Sequence, residues 1–264
     1  MTIFVLKSKI HNNNHCVNIF LISFREMSGL SKENYLNQII PPDVKVKNIP
    51  LVKATNESLK DIGYLITSPG DVTVQNGKFD IVPWPTKGWR ALDPNTGNEA
   101  GTTEGSMEIY WEGDRLYGKN HAIATDSNHY LLGYGNLPLQ SASLSNSNIS
   151  EQSEISSVFV WYSDYHPDGG QLFFPTNGKP FISNLAPAVG DDITPDHFTA
   201  FYVSEGYGLY IYPGVWHNAV YIHPSHSPVS LFSRQGRIHA RISVDWVKEF
   251  NTLLRVPLTI VANK

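Results

Sequence analysis

Between Asp164 and Tyr221, four short runs rich in Phe, Tyr, Ile and Val alternate with Gly- and Pro-containing turns. The runs are residues 171–175, 179–185, 198–204 and 208–212. β-branched and aromatic residues in short turn-bounded runs predict strands, and several strands so closely spaced must fold back antiparallel. Two blocks in the same stretch add side chains that can ligate or move protons. The first is Asp164-x-His166, four residues, Gln171, then six residues to Gly178. The second is Pro213-Gly214-x-x-His217. In a small antiparallel barrel, inward positions of neighbouring strands face one cavity, so His166, Gln171 and His217 can meet there.

The rest of the chain supports a mainly β reading with a few peripheral helices. Residues 107–111 predict a hairpin with residues 115–119 across Glu112-Gly113-Asp114. Residues 130–134, 229–233 and 238–244 are further strand-like runs, as are 79–84. Ser31 opens an amphipathic helical stretch that Pro41-Pro42 stops. Asn56 reads as an N-cap for a helix over 57–62 closed by Gly63, and residues 246–254 have helical spacing. Residues 141–157 are rich in Ser and Asn and mark either a sub-boundary or a long insertion. Residues 1–27 read as a poorly ordered extension, with Met27 a second plausible start, and residues 28–264 as one β domain.

With 264 residues and 41% hydrophobic content, the chain can bury a substantial core. A formal charge of -4 argues against a nucleic-acid partner, which calls for a basic stripe. The apolar run at residues 16–24 is too short to span a bilayer, and Asn18 interrupts it with no small-residue cleavage site after it. A single cysteine, Cys16, excludes an intramolecular disulfide and fits a reducing, cytoplasmic setting.

The two blocks have the spacing of the paired cupin motifs, with Asp164, His166 and Gln171 in the first and His217 in the second. That implies a cupin-like β-barrel or paired antiparallel sheets. A narrower likeness covers more residues: His166-Pro167-x-Gly169-x-Gln171-x-Phe173-x-Pro175-x-x-Gly178, then Ala200-Phe201 up to Gly208, then Val215-Trp216-His217. This resembles the ureidoglycolate lyase family, strongly over residues 159–221 and weakly over 57–134. The resemblance implies cleavage of (S)-ureidoglycolate to glyoxylate and urea, the last step of one route of allantoin breakdown.

That reaction needs a base for the substrate hydroxyl, an acid for the departing nitrogen and a cation for the carboxylate. The catalytic candidates are His217, His166 and Gln171, with Glu108 and Glu104 as a second acid-base group. The substrate-binding candidates are Arg241, Lys119, Arg90, Trp216 and His239. His166, Gln171 and His217 also form an optional set for a divalent Ni, Mn or Zn ion, although no cofactor is required. Each has a structural alternative: a core histidine bonded to backbone, a strand-end amide, a core indole or a solvated ion pair. Other readings are a metal-dependent cupin isomerase or dioxygenase, or a non-catalytic cupin-like binding protein. The expected partners are the small substrate and a second copy in a homodimer, with no nucleic acid and no membrane.

Overall fold

The computed structural model describes residues 41–72, 88–90, 104–120, 129–136, 154–235 and 241–260. The expected features at residues 1–27, 31–40 and 79–84, most of the Ser-rich loop and His239 lie outside them. Among the described residues fifteen strands follow in order: β1 Lys45–Asn48, β2 Leu51–Lys53, β3 Gly63–Ile66, β4 Glu104–Glu112, β5 Arg115–Asn120, β6 His129–Tyr134, β7 Ser157–Val160 and β8 Tyr162–Tyr165. Then come β9 Gln171–Pro175, β10 Phe181–Leu185, β11 Thr199–Val203, β12 Gly208–Ile211, β13 Val229–Arg234, β14 Ile242–Asp245 and β15 Thr252–Pro257.

Ten strands form one large sheet in the order β1-β15-β7-β6-β5-β4-β13-β9-β12-β3. Smaller sheets are β10-β11-β2 and β14-β8. Pairing is antiparallel except at β1–β15 and β11–β2, where the N-terminal strands add in parallel. Three isolated bridges join the small sheets: Asp164↔His217, Ala186↔Trp216 and Ile182↔Tyr221. They lay residues 216–221 between β8 and β10 and so build a second layer. The molecule is mainly β, and among the described residues the sheets stay open instead of closing into a barrel. One apolar cluster draws on both layers, including Phe173 and Leu231 from the large sheet and Ile182, Phe201 and Trp216 from the other.

Local chemistry explains where the elements begin and end. The β4–β5 hairpin forms as expected, with Gly113 at φ 62° in its two-residue turn. Gly178 and Gly214 also take left-handed backbone, at φ 70° and 77°, so the turns closing the two blocks require glycine.

Two helices differ from expectation. Residues 56–62 are consecutive turns, not a regular helix. Thr55 and Ser58 cap one another, Asn56 Oδ1 instead accepts from Leu65 N, and Asp61 takes the positive φ assigned to Gly63. Gly63 starts β3, where a Cβ would collide with the Tyr210 carbonyl oxygen. The second helix covers only Trp246–Phe250. Asn251 ends it in left-handed conformation and the chain turns into β15.

Candidate active site

His166 follows β8, Gln171 opens β9, and His217 lies in the bridged segment between β8 and β10. All three are buried, at 3%, 5% and 3% exposure. Their functional atoms converge. His166 Nε2 lies 2.8 Å and His217 Nε2 3.1 Å from Gln171 Oε1, and the two rings meet edge to face at 4.9 Å. The other end of the amide contacts Ser233 Oγ at 3.2 Å. Gln171 is thus a clamp that fixes two imidazoles against each other.

Backbone geometry delivers them. Gly214 reverses the chain, and reciprocal backbone bonds of 2.9 and 2.8 Å then pin His217 opposite Asp164. Directly paired residues put their side chains on one face, and Asp164 and His166, two apart, share it as well. Trp216 takes the opposite face. It is fully buried, donates its indole N–H to Gly190 O at 2.9 Å and packs edge-on against Tyr165.

The tautomer of His217 follows from its neighbours. A carbonyl only accepts, so the 2.8 Å contact to Val215 O places the proton on Nδ1. Burial first, and the neighbouring His166 second, push its pKa down from 6.5 to about 4, against an opposing pull from Asp164. At neutral pH, His217 Nε2 is therefore a lone pair. The result is a buried, uncharged base held in one orientation.

The remaining candidates scatter. Arg241 comes to the site: the β8–β14 register, carried one residue on, sets it level with His166, and its Nε is 3.8 Å from Asp164 Oδ2. Arg90 does not. Its guanidinium forms a two-pronged pair with Glu249, 2.8 Å on each side, and also donates to Asp191 O, on the Trp216 side. Glu108 sits opposite both Lys119 and Ser230. Alternation along β13 puts Ser230 on the face away from Ser233, so Glu108 and Lys119 point away from the imidazole pair. Glu104 pairs in register with Arg234. Ser233 and the Val215 carbonyl were not among the expected site residues. The alternating pattern of β13 marks Ser233 as inward, but nothing local ties it to Gln171.

As a metal centre the set is poor. The donors are two imidazole nitrogens and one amide oxygen, all neutral, and both nitrogens already face the amide. No cluster of three or more His, Cys, Asp or Glu exists among the described residues. Divalent ions prefer at least one anionic ligand or a third imidazole, so these residues do not fit one.

Comparisons with known proteins match the same part of the chain. The family model for ureidoglycolate lyase matches residues 120–240. A ureidoglycolate lyase of Stutzerimonas stutzeri (strain A1501) is 42% identical over 55 residues, which is 21% of this chain and 32% of that relative. The match thus spans about a third of the relative's length. His166, Gln171 and His217 all fall inside the segment, residues 120–240, that is similar to the ureidoglycolate lyase family.

Proposed function

We propose that the protein is a carbon–nitrogen lyase that cleaves (S)-ureidoglycolate to glyoxylate and urea in purine nitrogen catabolism. The observation that carries this reading is the pair of imidazole Nε2 atoms meeting one amide at 2.8 and 3.1 Å. The reacting carbon of the substrate bears a hydroxyl, a carboxylate and the ureido nitrogen. The His217 Nε2 lone pair takes the hydroxyl proton, the oxygen forms the aldehyde carbonyl, and the C–N bonding pair leaves with nitrogen. His166, on the other side of the clamp, returns a proton to that nitrogen. The bonds and protons balance without an oxidant, reductant or water. Burial and the neighbouring His166 both disfavour a charge on His217, which suits His217 to the base role of the pair.

Arg241 supplies the cation for the substrate carboxylate. Its fork can keep one edge on Asp164 while the other takes a two-pronged hold on the anion. Neither a metal-dependent cupin nor a non-catalytic binder is favoured by the neutral donor set or the family match. The products decide the reaction class: incubation with racemic ureidoglycolate should release glyoxylate and urea in equal amounts. Ammonia in place of urea would mean hydrolysis of the ureido group and would refute the lyase assignment.

A cytoplasmic homodimer belongs to the same reading. Among the described residues no helix is long and apolar enough to cross a membrane. The large sheet leaves β1 and β3 as edges through which copies could pair. Sedimentation at micromolar concentration should give twice the chain mass, and a single-chain mass would remove the dimer.

A further inference from the structure

A His217 that takes the hydroxyl proton becomes a cation with 3% of its surface exposed. Its hydrogen bonds are provided for. Nδ1–H stays on Val215 O at 2.8 Å, and the new Nε2–H faces Gln171 Oε1 at 3.1 Å. Both acceptors are neutral, so neither offsets the charge. A buried charge is costly unless an opposite charge lies close by. Burial first and His166 second disfavour a charge on His217, and Asp164 pulls the other way.

The fold holds Asp164 where its charge can act. It exchanges both backbone hydrogen bonds with His217, at 2.9 and 2.8 Å, so the two side chains leave one face side by side. On its other flank β8 pairs with β14, where Ser243 is directly opposite. Strands on both sides thus fix the Asp164 backbone. The titratable groups beside its carboxylate come from three segments: His166 two residues along β8, His217 across the bridge, and Arg241 next to β14, whose Nε is 3.8 Å from Asp164 Oδ2. For substrate binding alone this placement is unfavourable. The substrate is an anion to be held by Arg241, and a carboxylate 3.8 Å from that guanidinium repels the substrate and competes with it. An acid there weakens the ground-state complex, so its benefit must lie where positive charge develops, in the transition state.

We propose that Asp164 is a positioning residue that acts through His217: it is the counter-charge for the imidazolium formed during the reaction, and it weakens the hold of Arg241 on the substrate carboxylate. The role rests on the lyase reading for the step it serves. One arm of its test needs no turnover.

Asp164→Asn removes the charge but keeps the shape and an oxygen toward Arg241. Asp164→Ser removes the charge with a smaller side chain, and Asp164→Glu keeps it. All three retain the backbone bonds to His217. For each, kcat and KM for ureidoglycolate are measured at neutral pH, with the Kd of glyoxylate, a probe of the carboxylate end, from calorimetry. The two neutral variants should lose about tenfold in kcat, because the field of Asp164 on a buried ring is little screened. Their KM and glyoxylate Kd should fall about threefold as the repulsion disappears. Asp164→Glu should keep kcat within about threefold of wild type. Opposed changes in kcat and affinity separate a counter-charge from a structural residue, whose loss would impair both. Wild-type kcat in a folded neutral variant would overturn the proposal. So would weaker glyoxylate binding, because Asp164 would then serve only to orient Arg241. Wild type that releases no glyoxylate from ureidoglycolate would refute the lyase reading, whereas unchanged glyoxylate affinity in Asp164→Asn would overturn the Asp164 assignment whatever the turnover.

Discussion

Replacing His217 with Gln should flatten the acid sensitivity of the fold. In the folded protein, burial and His166 hold His217 down to about 4, while the unfolded chain titrates near 6.5. Between those values the unfolded chain binds a proton that the folded protein refuses. The contribution of neutral His217 to stability is therefore complete above about pH 6.5 and is lost as pH falls through about 4. The full difference corresponds to about 3 kcal/mol at 1.36 kcal/mol per pKa unit. About 2 kcal/mol of it lies between pH 7 and pH 4.5. Urea denaturation of wild type and variant at both pH values reports on His217 and the groups coupled to it, since titrating groups remote from it cancel in the comparison. Wild type should lose about 2 kcal/mol more than His217→Gln on acidification, roughly 5 °C in melting temperature for a chain of this size. Equal losses would refute the claim that His217 is buried as a neutral base.

Gln171→Leu removes the clamp and leaves His217 Nε2, His166 Nε2 and the Ser233 hydroxyl without it. Stability should fall by about 2–4 kcal/mol in chemical denaturation, since each abandoned polar group costs about 1–3 kcal/mol, and kcat should drop at least a hundredfold. Arg90→Met and Arg241→Met should separate structure from binding. The Arg90 side chain is only 4% exposed and holds both oxygens of Glu249. Its loss should lower stability by about 2 kcal/mol with KM for ureidoglycolate little changed. Arg241→Met should raise KM about tenfold with less than 1 kcal/mol effect on melting. A reversed pattern would exchange their roles. Exhaustive chelation should leave glyoxylate release unaltered, because the donor set is neutral and already hydrogen-bonded; lost activity restored by one divalent metal would contradict that.

The convergence of His166, Gln171 and His217 was legible because each sits next to a turn that sequence marks clearly, Gly178 after one block and Gly214 within the other. Glycine at positive φ fixes the strand ends, and alternation then fixes the faces. Long-range register was not legible. Glu108 and Lys119 are good acid–base and carboxylate candidates by type, yet the pairing of β4 with β13 turns them away from the amide. Arg90 finds Glu249 far along the chain, a pairing no local pattern announces. The helix expected at residues 57–62 gave way because Thr55, Ser58 and Asn56 satisfy the backbone through side chains, which competes with helical bonding. Of the two expected architectures, a barrel or paired sheets, the described residues take open sheets, with residues 216–221 joined to β8 and β10 only through isolated bridges.

The most direct test is the initial rate of glyoxylate release from racemic ureidoglycolate at neutral pH, for wild type and His217→Ala, against the spontaneous rate. Wild type should consume one enantiomer far faster than the spontaneous reaction, and His217→Ala should fall at least a hundredfold while remaining folded. A folded His217→Ala protein that cleaves ureidoglycolate at the wild-type rate would contradict the imidazole-pair account.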